Sequence, residues 1–89
     1  MKPKLIAQQG NYILIHTRTM PKEDSPLNIP MERGFIHELG SDFRYPEQLL
    51  GSIFAHAPYF DKPEIQLSDE EIQAIVNLPI RRYPGGPTQ

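Results

Sequence analysis

Ten prolines are spread along these 89 residues, about twice the usual ~5% share. Each one fixes its own φ, removes a backbone donor and biases its predecessor away from helix. Long helices and broad central strands are therefore excluded, and the chain must be assembled from short elements with proline between them.

The longest proline-free run near the start, "KLIAQQGNYILIHTR", predicts a β-hairpin. Lys4 to Gln8 and Tyr12 to Arg18 flank Gln9-Gly10-Asn11, where Gly10 and Asn11 both tolerate positive φ. In the second strand Ile13 and Ile15 share one face, while Tyr12, Leu14 and His16 share the other. Apolar residues on both faces place this strand inside the sheet.

Three prolines and a charged cluster follow in "TMPKEDSPLNIPMERG", read as an exposed loop over about 20–34. "GFIHELG" predicts a third short strand between two glycines. In "YPEQLLGSIFAHAP", Leu49, Leu50, Ile53 and Phe54 fall on one helical face, with Pro46 in the first turn and Pro58 beyond the end. "PEIQL" alternates Ile65 and Leu67 as a short strand would.

"LSDEEIQAIVNLPIRRYPGG" predicts a second helix. Ser68 is a natural N-cap, and Glu71 three residues later completes a capping box. Leu67 and Ile72 occupy the staple positions before the cap and at the fourth helical residue. Asp69, Glu70 and Glu71 set negative charge at the positive end of the helix dipole. Ile72, Ile75 and Val76 form the inward stripe, and Pro79 stops the helix near Asn77. The run is similar to the opening of the last helix in many small helical proteins, c-type cytochromes among them; without haem-attaching cysteines the likeness extends only to capping.

The expected fold is α+β: a small antiparallel sheet begun by the N-terminal hairpin, with two short helices on one face, in the order β-β-β-α-β-α. A small β-barrel with helical additions is the alternative. Residues 1–83 form one domain, and 84–89 are an irregular Pro/Gly tail.

Composition narrows the function. No cysteine is present, which removes disulfides, thiol catalysis and thiolate metal sites and fits a reducing compartment. Formal charge is −2; residues 1–60 hold six basic and six acidic groups, and residues 61–89 hold three and five. That is not the basic face of a duplex binder. No apolar run approaches a membrane span, and "MKPKLIAQQGNY" lacks a signal-peptide core, so a cytoplasmic location without membrane association is expected.

Chemistry finds few handholds. His16, His37 and His56 are spaced by 21 and 19 residues, which matches no metal-ligand motif. His37 and Glu38 are strand neighbours pointing to opposite faces, so they do not form a dyad. No Gly-x-Ser-x-Gly elbow and no glycine-rich phosphate loop occurs. The expectation is a non-enzyme with no cofactor and no metal.

What remains is contact. Arginine lies beside aromatic residues in "DFRYP" and "RRYPGG", a composition that interface centres favour. Arg44, Tyr45, Tyr59, Arg81, Arg82 and Tyr83 are the candidate partner-binding residues, together with the proline-rich loop. Phe43 and Tyr45 can equally be core residues packed under the sheet. A thin core also makes a protein partner or self-association physically useful. The reading is a protein–protein interaction module: an accessory subunit, adaptor or small inhibitor. A single-stranded nucleic-acid binder using the same Arg/aromatic clusters is the alternative.

Overall fold

The computed structural model describes residues 2–50 and 64–82. Four strands form one antiparallel sheet in sequential order: β1 (Lys4–Gln9), β2 (Tyr12–Met20), β3 (Met31–Glu38) and β4 (Gln48–Leu49). One helix, α1 (Asp69–Val76), and a 3-10 turn at Lys22–Asp24 complete the regular elements among the described residues. The α+β class is as expected; among the described residues the order is β-β-β-β-α.

The hairpin forms where the sequence places it. Gln9 pairs with Tyr12, and Gly10 takes the positive φ of 59° at the first turn position, where a side chain would be strained. β2 pairs on both sides, with Leu5↔Ile15 across to β1 and Ile15↔Phe35 across to β3. Two bulges reset the alternation. In β1 the register skips Ile6, so Leu5 opposes Ile15 while Ala7 opposes Leu14. In β2 it skips Thr17, between His16↔Gly34 and Arg18↔Arg33.

The sheet is consequently buried on both faces. On one, Ile13, Ile15 and Phe35 meet Ile72 of α1, and Leu5, Leu39, Leu67, Ile75 and Val76 pack around them. On the other, Ala7, Leu14 and Leu50 form a second cluster with Ile6 and Ile36 at its margin. Gly34 abuts Leu50 of this second cluster. A Cβ there would collide with the Ile15 carbonyl and stand 2.8 Å from Leu50 Cδ1, so only glycine lets Leu50 seat against the strand pair.

α1 begins as its local chemistry dictates. The Ser68 hydroxyl accepts from the Glu71 amide at 3.1 Å, and the Glu71 carboxylate accepts from the Ser68 amide at 3.1 Å. The helix ends at Val76 with Asn77 as its C-cap, two residues before Pro79.

Four expectations are corrected. Residues 48–49 are strand β4 rather than the first turns of a helix, pairing Gln48 with Gly34 and Leu49 with Arg33. The Leu50 amide extends the contact by donating to the Glu32 carbonyl at 2.8 Å. Helical spacing in this run competed with the unsatisfied edge of β3, and pairing that edge satisfied backbone groups a helix would have left open. The rest of that predicted helix, Ile53 and Phe54 included, lies outside the described residues.

Ile65 and Leu67 do not form a strand. Residues 64–68 are irregular and are held by a side chain: Gln8 Oε1 accepts from the Glu64 and Ile65 amides at 2.9 and 3.2 Å. Leu67 turns inward as the staple of α1 rather than as a ladder residue. The proline-rich connection is also shorter than 20–34, because β2 and β3 stay paired to Met20↔Met31 and leave only residues 21–30 between them. Gly34 is interior to β3, and Gly40, with φ of 88°, is in the turn that follows.

Candidate interaction surface

The loop after β3 is tied down at every step. Leu39 donates to the Asn11 carbonyl at 2.8 Å, and the Ser41 hydroxyl bonds the carbonyls of Glu38 and Phe43 at 2.7 and 3.1 Å. His37, buried on β3, bonds the Phe43 carbonyl through Nδ1 at 2.9 Å. The Tyr45 amide then returns to the Ile36 carbonyl at 3.0 Å. Residues 43–45 are thereby fixed against the end of the sheet beside the C-terminus of α1.

The segment leaving α1 docks on this loop. The Arg44 amide donates to the Pro79 carbonyl at 2.9 Å and the Arg81 amide donates to the Arg44 carbonyl at 2.8 Å, forming a parallel bridge between Arg44 and Ile80. Arg44 turns its side chain inward. Its Nε donates to the Val76 carbonyl at 2.8 Å, its Nη1 to the Tyr45 carbonyl at 3.3 Å, and its guanidinium carbon lies 4.5 Å from the centre of the Phe35 ring. The arginine thus closes the negative end of a helix that has no basic residue in its own last turn.

Arg81 makes the outward counterpart. Its guanidinium lies 5.0 Å from the centre of the Phe43 ring, and Phe43 meets Tyr45 edge to face at 5.5 Å. Pro79, Ile80, Arg81 and Arg82 are all exposed, with Ile80 57% accessible although its neighbours' backbones are pinned. Tyr12 and Glu38 border this region. The Glu38 charge holds the Tyr12 hydroxyl above its usual range, with burial and the nearby Tyr45 adding to the effect.

Of the candidate residues, the fold brings Arg44, Tyr45, Arg81 and Arg82 to one place; Tyr59 and Tyr83 lie outside the described residues. Arg44 is engaged within the fold, whereas Arg81 and Arg82 face outward. Phe43, read from sequence only as a possible core residue, is the platform on which Arg81 rests. Its signal is the aromatic-Arg-aromatic triplet 43–45, which in an extended segment sets the two aromatic rings on one side and the central arginine on the other.

Other polar groups are paired among themselves. Arg18 and Arg33 both hold Glu47, through Nε to Oε1 at 3.0 and 2.8 Å. Burial pushes the Glu47 carboxyl up, but the hydrogen bonds and charges of the two arginines outweigh it, and the group is held below the usual carboxylate range. His16 Nε2 lies 2.8 Å from Glu32 Oε1, which also accepts from the Thr19 hydroxyl at 2.9 Å. Sequence spacing did not reveal this cross-strand pair, because it depends on the register that sets His16 opposite Gly34, two residues from Glu32 on β3. An imidazole oriented by a carboxylate is the arrangement of a general base. His16 is only 3% exposed, however, so no reactant reaches it in this conformation.

His16 and His37 are on opposite faces of the sheet, and no group of three or more potential metal ligands occurs among the described residues. Two open depressions, about 240 and 430 Å³, flank the start of α1, lined by residues such as Lys2, Asp69, Leu5 and Ile65. Neither contains a histidine. No described helix is long and apolar enough to cross a membrane. No protein-family model matches the chain, and no curated protein or solved structure is detectably similar to it.

Proposed function

We propose that this chain is a non-enzymatic, cytoplasmic protein–protein interaction module, an accessory subunit, adaptor or small inhibitor that acts by occupying a partner's surface. The observation carrying the reading is the run Pro79–Arg82, exposed along its length yet hydrogen-bonded to Arg44 on both sides of Ile80. A segment already held in place loses little conformational freedom on binding, so its contacts convert more fully into affinity. The connection between β2 and β3 supports the same reading. It displays Leu27 and Ile29, 65% and 52% exposed, around Asn28 at φ 56°, and the preceding 3-10 turn orders it through hydrogen bonds at Asp24 and Ser25.

The test is affinity capture from native lysate with the tagged full chain, with and without nuclease, alongside Arg81→Ala/Arg82→Ala. A nuclease-resistant protein held by the wild type and lost by the double variant, with thermal stability nearly unchanged, is the expected outcome. Capture that disappears with nuclease favours single-stranded nucleic acid instead. Equal capture by both chains removes the surface from the reading.

A further inference from the structure

Five arginines occur in the sequence, and the fold treats them in two ways. Arg18 and Arg33 share the carboxylate of Glu47. Arg44, Arg81 and Arg82 have no carboxylate partner among the described residues, although the chain carries more acidic than basic groups and Asp42 is next in sequence to Phe43. Among the described residues, then, Arg44 at the bridge and Arg81 and Arg82 just beyond it stand without a carboxylate, on a chain whose net charge is −2.

We propose that this surface binds an acidic peptide segment of a protein partner, with carboxylates at Arg81 and Arg82 and an aliphatic side chain against Ile80; the inference rests on the interaction reading above and specifies its ligand. Geometry supports carboxylate recognition. The Arg81 guanidinium carbon lies 5.0 Å from the centre of the Phe43 ring, and among the described residues its N–H groups donate to no oxygen, so they are open to a two-point hydrogen bond to a carboxylate. Arg44 is spent on Val76 and Tyr45, so it contributes positive potential and backbone rigidity rather than direct contact. Ile80, exposed next to Arg81 in sequence, supplies an apolar contact that a bare electrostatic patch lacks.

The same count weighs against a nucleic-acid strand. Two outward arginines neutralise about two phosphates, which makes only a shallow salt slope and little non-specific affinity. The excess of carboxylates elsewhere on the chain repels a long polyanion, whereas a short acidic segment meets only the local positive field.

The experiment is a titration of the isotopically labelled full chain with a synthetic peptide alternating glutamate and leucine, followed by amide and isoleucine-methyl NMR. A glutamine-for-glutamate peptide and an oligothymidylate serve as comparators. Shifts confined to residues 43–45 and 80–82 are expected, with about tenfold weaker binding in Arg81→Ala/Arg82→Ala, the scale of two exposed ion pairs. Arg81→Lys/Arg82→Lys should recover part of that loss, since charge is kept and the planar fork is not. Equal binding of the glutamine peptide, shifts centred on Lys2, Lys4 or Lys22, or tighter binding of oligothymidylate would overturn the proposal. If the peptide leaves the spectrum unmoved while the double alanine variant still loses a nuclease-resistant captured protein, acidic recognition falls and the interaction reading stands. If neither responds to the substitutions, both fall.

Discussion

Arg44 Nε donates to the carbonyl of Val76 across 32 positions of sequence, so the carbonyl of the last residue of α1 is satisfied from the loop after β3, beyond what the Asn77 cap provides. The same guanidinium covers the Phe35 ring at the centre of the core. Arg44→Ala removes a charge-assisted hydrogen bond and a ring contact together, an expected loss of about 2–3 kcal/mol. Arg44→Lys should recover less than half, because an ammonium cannot donate to two carbonyls in one plane. Urea unfolding midpoints at constant m-value check both, and a neutral Arg44→Ala would show this long-range contact to be dispensable.

Gly34→Ala is expected to destabilise by about 1–3 kcal/mol through overpacking. The obstruction is the Ile15 carbonyl, which is backbone, and only secondarily the end of Leu50. Trimming Leu50 to alanine in the same chain should therefore fail to rescue it. Thermal melts of the two single variants and the double variant decide the matter; rescue would mean that the strands separate more easily than the pairing implies.

Ser68→Ala should cost about 1 kcal/mol, since the Glu71 amide loses its acceptor at the first turn of α1. Glu71→Gln should cost less, because an amide oxygen can still accept from the Ser68 amide. Circular dichroism at 222 nm during denaturation separates the two. Equal losses would indicate that the carboxylate's charge, rather than the reciprocal hydrogen bond, is what matters.

Glu47 sets an acid limit. Its carboxyl is held below the usual range in the folded chain, so its contribution is fully present above the unfolded value of about 4.3 and is lost as pH falls through the folded value. Glu47→Gln should therefore be less stable than wild type near neutrality, with the gap closing progressively below about pH 4. Stability measured across pH 2.5–7 provides the check; a gap independent of pH would assign the loss to packing instead.

The features legible in the sequence were those decided within a few residues. Gly10 marked the hairpin turn, and Ser68, Glu71, Leu67 and Ile72 marked the start of α1, because turn and cap chemistry act over three or four positions. Ile13 to His16, apolar on both sides, correctly announced the interior strand. Leu49 and Leu50 were misread because their spacing suits a helix, while the edge of β3 that captures Gln48 and Leu49 is invisible to local periodicity. The candidate surface was half legible. Arg81 and Arg82 stood out beyond Pro79, but the bridge that joins Ile80 to Arg44 is a long-range pairing that no spacing announces.

The skipped position at Ile6 has a consequence for how this strand can vary. Because Leu5 and Ala7 already oppose consecutive residues of β2, cutting Ile6 out would leave both on their present sides and restore an unbroken ladder. β1 in effect carries a spare residue: a shortening that would turn most strands inside out would here forfeit one aliphatic contact at the rim of the second cluster.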